Sequence, residues 1–155
     1  MSKRRTVMKL LTVFAVAGVV EPLQALAQGV APAGERLGLK GYDPVAYFAD
    51  GKARPGDSEF EYAWDGVRYR FVSAAHRDLF KANSEKYAPQ FGGSCAMNMS
   101  NGVRREADPN NWTISDGKLY VFATARGFDL FRANPTQAAA RGVANWPNLK
   151  NMPTQ

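Results

Sequence analysis

Two stretches of the chain alternate polar and apolar residues on both sides of an Asp-Gly pair. Residues 59–64 and 67–72 flank Asp65-Gly66, and residues 112–115 and 118–122 flank Asp116-Gly117. Alternation with a period of two is typical of a strand with one buried face. Asp-Gly between two such strands favours a tight turn, because glycine accepts a positive φ. The pattern therefore predicts two antiparallel β-hairpins.

Capping signals predict four helices: residues 74–83, residues 94–101, a segment starting near residue 126, and residues 135–146. Ser73 is a favoured N-cap for the first of these, and Gly102 suits the C-terminal end of the second. Asn134 caps the last helix, and proline follows it at the first helical position. The sequence thus predicts the α+β class: a small single domain with two antiparallel hairpins and about four short helices.

The aromatic residues of these elements supply the predicted core, with Phe60, Tyr69, Phe71, Phe80, Trp112, Tyr120 and Trp146 assigned to packing. The two halves of the chain share a theme, since each contains a hairpin followed by a helix. No repeat of the solenoid kind is visible.

The first 27 residues have the pattern of an export signal. A basic start precedes an apolar run over residues 10–20, and Ala25-Leu26-Ala27 has the small side chains that a signal peptidase requires. The pair Arg4-Arg5 resembles a twin-arginine signal. We expect residues 1–27 to be removed, residues 28–38 to form a flexible lead-in, residues 39–149 to form the domain and residues 150–155 to be a tail. The mature protein is then periplasmic or secreted.

Removal of this segment changes the charge of the protein. The whole chain has 20 Lys and Arg against 14 Asp and Glu, a formal charge of +6. Four of the basic residues and one acidic residue lie in residues 1–27, so 16 basic and 13 acidic residues remain, a net charge of +3. These charges are scattered, which argues against a nucleic-acid footprint. The apolar run is shorter than the roughly 20 residues that span a bilayer, so we expect no stable membrane anchor in the mature chain.

Thioether, thiolate and imidazole groups form a candidate metal-binding set. Cys95 is the single cysteine and His76 the single histidine, which excludes an internal disulfide and any site built from several thiolates of one chain. Cys95 and Met99 share a face of the predicted helix, and His76 could join them from another helix. Such ligands suit Cu(I) better than Mg²⁺ or Ca²⁺. The candidate metal ligands are therefore Cys95, His76 and Met99, and the candidate cofactor is copper.

Several motifs together resemble the bacterial YHS-domain proteins, in particular an exported single-domain branch with a Gly-Gly-x-Cys-Ala motif. The resemblance covers residues 39–149 and rests on residues 41–48, 69–73, 80–83, 85–87, 92–96 and 116–120. Metal-associated members of the wider family have cysteines where this chain has Ala46, Val72 and His76. The resemblance therefore implies that a three-thiolate site is absent. Some relatives carry selenocysteine at the position of Cys95, which implies redox or soft-metal chemistry there.

Three functions stay open. The first is a small-ligand or soft-metal binding module of the cell envelope. The second is a redox protein that uses Cys95, which would have to pair with another molecule because the chain has no resolving cysteine. The third is an accessory interaction domain with an envelope protein as its partner. Tyr42, Tyr47 and Tyr87, with Arg104-Arg105, could line a cleft for a small ligand or partner. No paired carboxylates or nucleophile motif are recognisable, which favours a non-enzymatic role.

Overall fold

The structure is a computed structural model that describes residues 36–155. The predicted export signal and residues 28–35 of the predicted lead-in lie outside the described residues. The strands are β1 (Arg36–Leu37), β2 (Asp57–Trp64), β3 (Val67–Phe71), β4 (Asp108–Ser115) and β5 (Lys118–Phe122). The α-helices are α1 (Ala46–Ala49), α2 (Ala74–Ala82), α3 (Ser84–Tyr87), α4 (Ala96–Ser100), α5 (Ala125–Ala133) and α6 (Pro135–Leu149). Two 3₁₀ turns, Gly38–Gly41 and Gln90–Gly93, precede α1 and α4.

Both predicted hairpins are confirmed. Strands β2 and β3 pair antiparallel, as do β4 and β5. Asp65 and Asp116 have φ values of 49° and 51°, and the glycine after each also has a positive φ. Positive φ at both central residues is the geometry that Asp-Gly favours in a two-residue turn. In each hairpin the first strand also contains a bulge, so both hairpins start earlier than the alternation indicated.

The α+β class is confirmed, and the details differ from the prediction at three places. Residues 36–155 hold six α-helices rather than about four, because α1 and α3 are single turns of four residues without a visible apolar period. Strand β1 pairs parallel to β3, which makes a three-stranded sheet in the order β1-β3-β2. Arg36 and Leu37, which lie inside the predicted lead-in, therefore belong to this sheet. Two residues are too few for a sequence pattern to indicate a strand.

The first hairpin and helix are repeated in the second half of the chain. The segments 57–83 and 108–134 align without a gap and share Tyr69/Tyr120, Phe71/Phe122, Phe80/Phe131 and Asn83/Asn134. The backbone repeats as well: Ser73 and Thr124 each accept a bond from the N–H three residues later. Asn83 and Asn134 have φ and ψ within a few degrees of each other and cap the next helix. The shared theme of the two halves is thus a duplicated structural unit.

Each unit has its own apolar cluster. Phe80 is fully buried in the first cluster, where its ring lies 5.0 Å from Tyr69 and 5.2 Å from Phe71. Phe131 has the same place in the second cluster, with its ring 4.8 Å from Tyr120 and 5.1 Å from Phe122. Of the predicted core aromatics, Phe60, Trp112 and Trp146 are partly buried against a cluster and the other four are buried. Within residues 36–155, no helix is long and apolar enough to cross a membrane.

Candidate functional site

Cys95 lies in the apolar cluster of the second unit. Its side chain is 1% exposed, and the residue stands at the N-cap of α4 rather than in the first helical turn. Its backbone N–H donates to the carbonyl of Arg105 at 2.9 Å, and its side chain makes no capping hydrogen bond. This environment resembles that of a small apolar core residue, since buried free cysteines are common and inert.

The structure brings Cys95 and Met99 together and places His76 elsewhere. Met99 is fully buried in the same cluster as Cys95, one helical turn further on. His76 belongs to α2, where its interactions are with Ser73 and Asp43. Within the described part of the chain, no three His, Cys, Asp or Glu side chains are grouped closely enough to hold a metal ion. Of the three proposed copper ligands, Cys95 and Met99 thus share an apolar cluster, and the imidazole of His76 is hydrogen-bonded to Asp43.

His76 pairs with a carboxylate that is fully buried. Its Nδ1 lies 2.7 Å from Oδ2 of Asp43, and this oxygen also accepts the N–H of Val72 at 2.9 Å. The other oxygen, Oδ1, accepts the N–H groups of Val45 and Ala46 at 2.7 and 3.3 Å. A single carboxylate therefore joins the start of α1, the end of β3 and helix α2. Buried polar groups are retained when they are fully hydrogen-bonded in this way.

Cys95 and Asp43 have equivalent positions in the fold but different surroundings. Each is the second residue after a glycine that ends a 3₁₀ turn, and each precedes a short helix. Asp43 fills this position with a hydrogen-bonded carboxylate, and Cys95 fills it with an apolar contact. In the second unit Gly127 replaces His76, so that unit has neither the acid nor the imidazole. The position thus holds a hydrogen-bonded acid in one copy and an apolar packing residue in the other.

The three candidate tyrosines divide between the two apolar clusters, with Tyr42 and Tyr47 at one and Tyr87 at the other. Tyr47 is 1% exposed and donates its hydroxyl to the carbonyl of Pro109 at 2.9 Å, and burial raises the pKa of Tyr47 well above its usual value. Tyr42 is half-buried beside the cluster that contains Cys95. Tyr87 is half-buried on the other cluster, with its ring 5.4 Å from that of Phe48.

An open cleft of about 800 Å³ lies at the junction of the two units, and none of these tyrosines lines it. The turn at Asp65 borders the cleft on one side, and helix α6 borders it on the other. Phe91, Val143 and Trp146 form part of its apolar wall. Phe91 can pack against α6 because residue 142 is glycine: a Cβ there would lie 2.5 Å from the Phe91 ring. The volume is typical of pockets that take a small organic molecule.

Two guanidinium groups lie in this cleft. Arg104 donates to the backbone carbonyl of Met152, has Nε 3.4 Å from Oγ of Ser94, and lies 5.8 Å from the ring of Trp146. Arg36 donates to the carbonyl of Gly92. Burial, followed by the charge of Arg36, lowers the pKa of Arg104. The two cations thus face a partly desolvated space together.

The sequence indicated only part of this site. The sequence predicts Arg104 as a cleft residue, whereas it predicts a packing role for Trp146 and a flexible segment around Arg36. Another indication of the cleft in the sequence is the run of proline and glycine at residues 89–93. Several of these residues line the cleft. The chain matched no protein-family model, no curated protein and no solved structure. The resemblance to the YHS proteins therefore stays a prediction.

The burial of Cys95 predicts slow modification in the native protein. We expect a thiol reagent to label Cys95 at the rate at which the fold opens, because solvent does not reach the sulfur in the closed state. Labelling is measured by mass spectrometry with and without denaturant. Labelling at the rate of an exposed thiol under native conditions would contradict this and would support the redox hypothesis.

Proposed function

We propose that the protein is an exported small-ligand binding module of the cell envelope, related to the YHS-domain proteins, and that the cleft between its two units is the binding site. The observation that carries this proposal is the cleft itself: about 800 Å³, open to solvent, with an aromatic wall and charged groups on the same surface. Concave sites of this size with a few placed polar groups are the usual setting for ligand binding.

The location of the cleft also supports ligand binding. Its walls come from the first hairpin, the 3₁₀ turn Gln90–Gly93 and helix α6, which are far apart in the sequence. Residues of these walls belong to buried apolar clusters, and a preformed site lowers the entropy lost on binding. A ligand in this position would contact both copies of the duplicated unit.

The sulfur-based alternatives have less support. Cys95 and Met99 are both buried, and His76 is bound to Asp43. A Cu(I) site at these residues would require the core to open and the acid–imidazole pair to separate. The interaction-domain alternative has no specific surface in its favour among the described residues, so ligand binding is the function that we retain.

Blocking the cleft tests the proposal. Val143 is 57% exposed on the cleft wall, so Val143→Trp is expected to fill the space without disturbing the core. The probe is N-phenyl-1-naphthylamine, a neutral molecule whose fluorescence rises in apolar sites. We expect Val143→Trp to weaken probe binding by about 10-fold or more, a change of about 1.4 kcal/mol or more.

The matched control is Leu130→Trp, which adds an indole at a 52% exposed position on α5 outside the cleft. This variant should bind the probe like the wild type. Equal binding by wild type and Val143→Trp would show that the probe binds elsewhere, and a wild type that binds no probe would equally overturn the proposal. A parallel Cu(I) titration of wild type and Cys95→Ala would favour the metal alternative if only the wild type binds tightly.

A further inference from the structure

Arg36 and Trp146 meet at Gly92, which lines the cleft. Arg36 donates to the Gly92 carbonyl, and a Cβ at Gly92 would lie 2.9 Å from Nη2 of Arg36 and 3.4 Å from Cη2 of Trp146. The guanidinium carbon of Arg104 lies 5.8 Å from the ring centroid of the same Trp146. The absence of a side chain at Gly92, whose φ is +58°, is what lets the guanidinium and the indole come this close.

In the described part of the chain neither guanidinium forms an ion pair with a carboxylate, and the charge of Glu106 offsets only part of the lowering of the Arg104 pKa. Among residues 36–155, the ion pairs involve other basic residues, and the guanidinium groups of Arg36 and Arg104 donate only to backbone carbonyls and to the Ser94 hydroxyl. Two like charges in a partly desolvated space repel, and the lowered pKa of Arg104 reflects both effects. An anion placed between them would relieve this repulsion.

The other charged side chains of the cleft balance one another, so its net charge comes from the two arginines. Lys118 and Lys150 also line it, and two acidic residues, Asp65 and Glu85, oppose them. The lining therefore carries four cationic and two anionic side chains, an excess of two positive charges. All four of these additional charged residues are exposed, so water screens them more than it screens the two arginines.

We propose that the cleft binds a small organic anion, with its acidic group between Arg36 and Arg104 and its apolar body against Phe91 and Trp146. This inference rests on the proposed ligand-binding function and specifies the chemistry of the ligand. Guanidinium groups match the planar geometry of carboxylates and the oxygens of phosphates or sulfonates. The aromatic wall favours an organic anion over a bare inorganic ion, which would leave that wall exposed to water.

Two matched probes test the charge requirement on the purified protein. Anilinonaphthalene sulfonate and N-phenyl-1-naphthylamine share the same aromatic frame, and only the first has an anionic group. We expect Arg36→Gln and Arg104→Gln each to weaken sulfonate binding by about 10-fold and to leave binding of the neutral probe within about 2-fold. Added salt should weaken binding of the anionic probe only.

Arg105→Gln is the control, because it removes the same charge from an exposed neighbour outside the cleft. If the sulfonate binds equally to Arg36→Gln, Arg104→Gln and Arg105→Gln, the anion site is overturned. Should the neutral probe still bind in the cleft and be lost in Val143→Trp, the proposed function survives that result. If Val143→Trp binds both probes as tightly as the wild type does, the proposed function and the anion site are overturned together.

Discussion

Asp43→Ala is expected to destabilise the protein by about 3–5 kcal/mol, the cost typical of breaking a buried charged network. Asp43 is fully buried, and its carboxylate accepts three backbone N–H groups and the imidazole of His76. Alanine would leave these groups without a partner in a site that water does not reach, and each unpaired buried donor costs about 1–3 kcal/mol. The free energy of unfolding is measured by urea denaturation followed by circular dichroism.

Two variants distinguish the effect of losing the hydrogen-bond network from the effect of losing a carboxylate alone. Asp43→Asn keeps an oxygen for the N–H groups of Val45 and Ala46, so we expect a smaller loss than for alanine. Asp57→Ala removes an exposed carboxylate that accepts a single local bond from Glu59, and we expect a loss below about 1 kcal/mol. An Asp43→Ala protein as stable as Asp57→Ala would mean that the network contributes little to the fold.

Local signals predicted the local structure. The turns at Asp65-Gly66 and Asp116-Gly117, the N-cap at Ser73 and the start of α6 at Pro135 all depend on residues within a few positions of one another. Such features can be predicted from one sequence because their hydrogen bonds close within one turn. The α+β class followed from them, since two hairpins with attached helices permit few other arrangements.

Non-local features could not be predicted in the same way. Strand β1 is two residues long and is defined by its partner β3. The cleft depends on the packing of α6 against Phe91 at Gly142. Tyr47 shows the same limit, because nothing in its local sequence indicates that its hydroxyl reaches Pro109, far along the chain. The Cys-Met spacing indicates a chemical role for Cys95, whereas in the structure it has the same place after a 3₁₀ turn that Asp43 has before the first unit.

The duplication predicts that Phe80 and Phe131 contribute equally to the free energy of unfolding. Phe80→Ala and Phe131→Ala are each expected to cost about 3–5 kcal/mol, the range for removing a fully buried aromatic ring. Phe80 is 0% exposed and Phe131 1% exposed, and each is surrounded by the aromatic residues of its own hairpin. Domains of this size are stable by only about 5–15 kcal/mol, so either variant should unfold at a much lower urea concentration.

The neighbouring residues Leu79 and Leu130 are matched controls, because they are the preceding pair in the repeat and are 46% and 52% exposed. Their alanine variants should lose less than about 1 kcal/mol. Because Phe80 and Phe131 belong to separate clusters, the loss in the double variant should equal the two single losses within about 0.5 kcal/mol. A loss confined to one of the two phenylalanines would show that only one copy of the unit carries the stability of the domain.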